Sequence, residues 1–85
     1  GDEMYSYITK EVCSRQINFD ISNNKIKNAN FIGGCNGNLQ GISRLVEGMD
    51  LNEAITKLQG ISCNGKGTSC PDQLATALKE FIVIN

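Results

Sequence analysis

The sequence predicts a small α+β domain, a short antiparallel sheet with three helices packed on one face. Three observations carry that expectation. The odd positions from Cys13 to Ile21 read Cys, Arg, Ile, Phe, Ile, the alternation of a half-buried strand. Three later segments carry apolar residues at helical spacing. Between these elements lie glycine-rich stretches that hold Cys35, Cys63 and Cys70, three of the four cysteines.

In chain order, residues 1–10 are read as a possible tail, with Gly1 ahead of Met4 resembling an expression remnant, and residues 11–85 as one domain. The first strand places Ile17, Phe19 and Ile21 on one face, and Cys13 shares their parity. Ser22, Asn23 and Asn24 tolerate tight-turn geometry and Ile26 to Ile32 is apolar-rich, so a β-hairpin from about residue 12 to 33 follows. Parity changes between Ile26 and the pair Ala29 and Phe31, which calls for a bulge or a loop before Ala29. Gly33-Gly34-Cys35-Asn36-Gly37-Asn38 then breaks the pattern with a backbone able to bend tightly. Leu39, Ile42, Leu45, Val46 and Met49 form the stripe of a helix over about 38–48, with Asn38 as N-cap. Asp50 to Glu53 has a capping-box pattern, opening a helix over about 50–59 that turns Leu51, Ile55 and Leu58 inward and stops at Gly60. After the glycine-rich run from Ile61 to Cys70, Pro71 suits a first helical position and makes Cys70 the expected N-cap of a helix over about 71–83. Its apolar stripe is Leu74, Ala75, Leu78, Phe81 and Ile82.

Size and charge narrow the function. A chain of 85 residues buries roughly 60 to 65 percent of its unfolded surface, so its stability margin is thin. With no Trp, three Phe and two Tyr, the core rests on Ile, Leu and Val, and a covalent or metal staple would help hold it. The net charge is −1 and the eight basic residues are scattered, without the patch that binding a phosphate backbone requires, so nucleic acid is not an expected partner. No run approaches the roughly eighteen apolar residues of a membrane span, and the default location is cytoplasmic.

The cysteines are therefore the candidate site. Cys35 and Cys70 fall just ahead of helix starts, where unpaired N–H groups and the helix dipole favour negative charge, and thiolates are what metals and redox exchange need. The chain has no His, so a protein-only metal site would be all-cysteine, or cysteine with a carboxylate such as Asp72, and tetrahedral zinc is the commonest ion for that set. An iron-sulfur cluster uses the same ligands. Cys63 and Cys70 are seven positions apart and no Cys-x-x-Cys pair exists, so spacing alone marks no zinc ribbon or thioredoxin-type motif. The bland alternatives are buried thiols without a shared site, or disulfides, for which four cysteines allow three pairings. Lys66 reads either as a solvated loop lysine or as an attractor of an anionic partner. Arg15 reads as a strand-end surface residue or as a charge beside the thiols. No catalytic triad, carboxylate pair or phosphate loop is present.

Thr68-Ser69-Cys70-Pro71-Asp72 resembles the pentapeptide that names the TSCPD family. Val12-Cys13-Ser14, the run from Phe31 to Leu39, and Lys66-Gly67 resemble the rest of its signature, from about Val12 to Leu78. In that family the module stands alone or is appended to cobalamin-dependent ribonucleotide reductases. The resemblance thus implies a ribonucleotide reductase or another protein as partner, while 85 residues cannot house the reductase itself. A more distant likeness is to NifU-type iron-sulfur scaffold domains, matching Cys13, Cys35, Lys66 and Cys70. It implies cysteines gathered at one end of a sheet covered by helices. The scaffold's Cys-Gly-Asp is here Cys13-Ser14-Arg15, its His is Ser69, and Cys63 is added. Those departures favour a closed, permanent metal site over cluster transfer. The leading expectation is a non-catalytic metal-binding module, with zinc ranked ahead of iron-sulfur, held by Cys13, Cys35, Cys63 and Cys70. Its rivals are a redox protein cycling Cys63 and Cys70, an iron-sulfur scaffold, and a plain interaction domain.

Overall fold

The computed structural model describes residues 3–10, 12–34, 36–62, 65 and 67–84. Three strands, β1 (Glu3–Ile8), β2 (Ser14–Ser22) and β3 (Lys25–Gly33), are followed by three helices, α1 (Asn36–Val46), α2 (Leu51–Leu58) and α3 (Cys70–Ile84). The sheet is antiparallel in the order β1-β2-β3. This is the α+β architecture that the sequence predicts.

The largest departure is at the start of the chain. Part of the expected tail is β1, paired with β2 from Glu3 opposite Ile21 to Ile8 opposite Gln16. The physical reason is an aromatic alternation: Tyr5 packs against Phe19 with ring centroids 5.3 Å apart and planes tilted by 45°, and meets Phe81 of α3 edge-on at 5.8 Å. Such contacts add to the apolar area the rings bury. Tyr5 and Tyr7 face the helices, while Met4, Ser6 and Ile8 are exposed.

The hairpin turn falls at Asn23 and Asn24, both with positive φ (53° and 63°), flanked by the pair Ser22 and Lys25. Two consecutive left-handed residues match the twist of a two-residue hairpin, and Asn tolerates that conformation. The expected bulge before Ala29 is present: between Asn18 opposite Asn30 and Asp20 opposite Lys27, β3 carries two residues against one on β2. Asn28 takes the left-handed position there (φ 55°), and its N–H donates to Glu47 Oε1 at 2.8 Å.

One face of the sheet presents Ile17, Phe19, Ile21, Ile26, Ala29 and Phe31 to Leu51, Ile55, Leu74 and Leu78, which completes a single core. Among the described residues, no helix is long and apolar enough to cross a membrane. On the other face Asn18 Oδ1 accepts hydrogen bonds from Ser6 and Gln16, each at 2.8 Å. The connection from α1 to α2 is fastened to the hairpin, with Ile26 donating to Met49 O (3.0 Å), Gly48 to Ile26 O (2.7 Å) and Leu51 to Asn24 O (3.1 Å). Asp50 caps α2 as expected, accepting from the Asn52 N–H at 3.0 Å. α1 begins at Asn36, ahead of the expected Asn38 cap.

Candidate functional site

Cys13 and Cys70 are 57 positions apart in the chain, yet their sulfurs lie 3.5 Å from each other. Two local devices bring them together. The first is a second register shift in the sheet, between Ser14 and Gln16, where Arg15 is extra on β2. An extra residue reverses side-chain parity. Ser14 therefore points inward, 2% exposed, and Cys13 is exposed beside it. The sequence expectation that Cys13 shares the inner parity of Ile17 and Phe19 is overturned by this shift.

The second device is the cap of α3. The Ser69 hydroxyl accepts from the Asp72 N–H at 3.2 Å, and Ser69 O accepts from the Gln73 N–H at 2.8 Å. Ser69 is thus the N-cap and Cys70 the first helical residue, one place earlier than the sequence suggests. Thr68 Oγ1 donates to Asp72 Oδ2 at 2.7 Å and accepts from Gln73 Nε2 at 3.0 Å. Gln73 Oε1 in turn accepts from the Lys10 N–H at 3.0 Å, tying the β1–β2 connection to the helix. Cys70 is held at the first turn, 6% exposed, with its sulfur 3.1 Å from Ser14 Oγ. Sequence reasoning missed Ser14 because only the register shift turns it inward.

Gly34 forms the third wall. Its φ is +82°, and a Cβ there would fall 2.8 Å from Leu39 Cδ1, 3.0 Å from Ser14 N and 3.1 Å from Cys13 Sγ. The backbone passes against the sulfur as no other residue type would allow. From there the chain continues into Cys35. Cys35, Cys63 and Lys66 lie outside the described residues. Among the described residues, no group of three or more His, Cys, Asp or Glu is gathered to hold a metal.

The other sequence candidates fall as follows. Arg15 is exposed, with its side chain lying over Gly33. Asp72 uses both carboxylate oxygens to hold neighbouring segments: Oδ2 accepts from Thr68, and Oδ1 from the Gly60 N–H at 2.6 Å. The segment between Gly60 and Thr68 thus begins and ends on one carboxylate, and it is closed again inside by the Gly67 N–H donating to Ser62 Oγ at 2.9 Å. Beside the sulfurs, Ile42, Leu45 and Pro71 wall a largely apolar groove of about 520 Å³, open to solvent at Leu45.

The pentapeptide from Thr68 to Asp72 is therefore a helix cap that fixes one cysteine against another. The family model of the TSCPD domain matches residues 2–82. The chain belongs to the TSCPD domain family. That family is associated with ribonucleotide reductase. No curated protein and no solved structure matches the chain, so the likeness of this TSCPD domain to NifU-type scaffolds rests on the sequence pattern alone.

Proposed function

We propose that this TSCPD domain is a non-catalytic metal-binding module whose ion is zinc, serving a ribonucleotide-reductase-type enzyme as an accessory or interaction domain. The observation that carries the reading is the 3.5 Å contact between Cys13 and Cys70. Zinc–sulfur bonds of about 2.3 Å in a tetrahedron set the sulfurs about 3.8 Å apart, so the pair already approximates one edge of such a site. Chemistry supports the ion: with no His in the chain, a closed site draws on thiolates, which select zinc or iron-sulfur centres among common metals. The Ser14 hydroxyl, within hydrogen-bond reach of Cys70 Sγ, would orient that ligand from outside the coordination sphere.

Cys35 and Cys63 are the proposed remaining ligands. Cys35 follows Gly34, which packs on Cys13 Sγ. Cys63 belongs to the segment whose two ends meet at Asp72, two positions beyond Cys70. Lys66 lies in that same segment.

Elemental mass spectrometry on tag-free protein, purified anaerobically under reducing conditions, tests the reading. The expected result is one zinc per chain, lost in Cys13→Ser and in Cys70→Ser while circular dichroism shows a folded domain. Iron with sulfide-to-iron absorption would move the protein to the cluster-scaffold reading.

The same contact favours a second reading. Cys13 and Cys70, beside the Cys63 and Cys70 pair that the sequence offers, are close enough for dithiol–disulfide exchange. One thiolate attacks a partner disulfide and the other resolves the mixed disulfide. Two electrons and two protons pass to the partner while an internal disulfide forms. Metal-free protein with a measurable two-electron potential would select this reading and sink the zinc site.

A further inference from the structure

Between the outer half of β3 and α1 lies a second cleft, of about 350 Å³, whose polar wall is Asn30, Asn36, Gln40, Ser43 and Arg44. Its apolar floor is formed by Phe31 and Leu39, both core residues. Three features set it apart from an ordinary surface groove. First, no Asp or Glu among the described residues lines it, and α1 has no acidic residue in its first turn. Second, the guanidinium of Arg44 is in no ion pair among the described residues, where Lys57 with Glu53 is the salt bridge present. Third, the side chain of Arg15 packs on Gly33, which lines the cleft: a Cβ at Gly33 would sit 3.4 Å from Arg15 Nε. A second guanidinium-bearing side chain, from a different strand, thus lies against one of the lining residues.

We infer that this cleft binds a small organic oxyanion, a phosphate monoester or carboxylate whose apolar part rests on Phe31 and Leu39. Guanidinium groups match the paired oxygens of both anions. Amide and hydroxyl groups at Asn30, Asn36, Gln40 and Ser43 supply further donors. The volume is at the small end for ligand sites, and an apolar floor with a few convergent polar groups is their usual make-up. A bare inorganic anion would leave that floor unused, which is why the ligand is organic.

Among the described residues, neither Cys13 nor Cys70 lines this cleft. Nuclear magnetic resonance titration of the wild-type domain with phenyl phosphate, benzoate and inorganic phosphate tests it. Phenyl phosphate or benzoate is expected to shift the amide signals of Asn30, Asn36, Gln40 and Arg44 saturably, and more tightly than inorganic phosphate does. Whichever of the two aromatic anions binds tighter identifies the headgroup. Arg44→Gln is expected to weaken binding about tenfold or more, the scale of a lost charged hydrogen bond, and Arg15→Gln to weaken it as well. Lys57→Gln, which removes a charge from α2, is the control and should leave the affinity unchanged. Shifts that do not saturate, or equal losses in Lys57→Gln and Arg44→Gln, would reduce the effect to general charge attraction and overturn the site.

Discussion

At the scale of the residue, the site depends on positions that carry no thiol. Gly34 is the clearest. Alanine there must hold a left-handed backbone, a cost of about 1–3 kcal/mol, and its Cβ must displace Leu39, Ser14 or the Cys13 sulfur. Gly34→Ala should therefore lower the melting temperature and reduce bound zinc together, whereas Gly37→Ala, with open space around it, should do neither. Calorimetry and metal analysis on the two variants check this. Tyr7 offers a test of a different kind. Burial, followed by the negative charges of Glu80, Asp72 and the Tyr5 phenolate, raises its phenol above the usual value near 10. A raised folded value means the associated stability is fully present below about pH 10 and is lost as pH rises through the folded value. Tyr7→Phe should thus flatten the alkaline fall in melting temperature. Both residues were partly hidden in the sequence. Gly34 stood out as part of a flexible loop, but its approach to Cys13 is a tertiary fact. Tyr7 fell in the expected tail.

At the scale of the element, the hairpin and the three helices were legible because each is signalled locally. The alternation from Ile17 to Ile21, the Asn23–Asn24 turn and the Asp50 cap all behave as their residue types dictate. The parity break at Ala29 correctly marked a bulge. The corresponding shift at Arg15 was not legible, because Cys13 and Arg15 continued the odd-numbered pattern without a break. That shift decides which residue faces the core, so the burial of Ser14 and the exposure of Cys13 could not be read. The cap of α3 was off by one position: Ser and Cys are adjacent, both precede Pro71, and only hydrogen bonding distinguishes them. Ser69→Ala should cost about 1 kcal/mol as a lost N-cap, measured by urea unfolding, and Ser69→Asp should restore most of it. If the alanine variant is as stable as wild type, Ser69 is not the cap that positions Cys70.

At the scale of the whole molecule, the paired sulfurs join the start of β2 to the start of α3 and so span most of the chain. A single, mainly aliphatic core with one cluster of three packed aromatic rings leaves a domain of this size with little reserve. A cross-link between such distant positions restricts the unfolded chain. For covalent links the scale runs from about 3 kcal/mol for a 15-residue loop to about 4.7 kcal/mol for a 100-residue one. A metal held at both ends acts in the same sense, with its binding energy added to folding. Chelation should therefore lower the melting temperature of the wild-type domain, and it should have no effect on Cys13→Ser/Cys70→Ser. The glycine-rich setting marked Cys70 and not Cys13, and no local pattern fixes a contact across 57 positions. The most direct test is X-ray absorption at the zinc edge of the metal-loaded protein. The account predicts a shell of four sulfurs at about 2.3 Å, depleted when Cys70 is replaced by serine. A shell of oxygen and nitrogen alone, or one unchanged in Cys70→Ser, would contradict it.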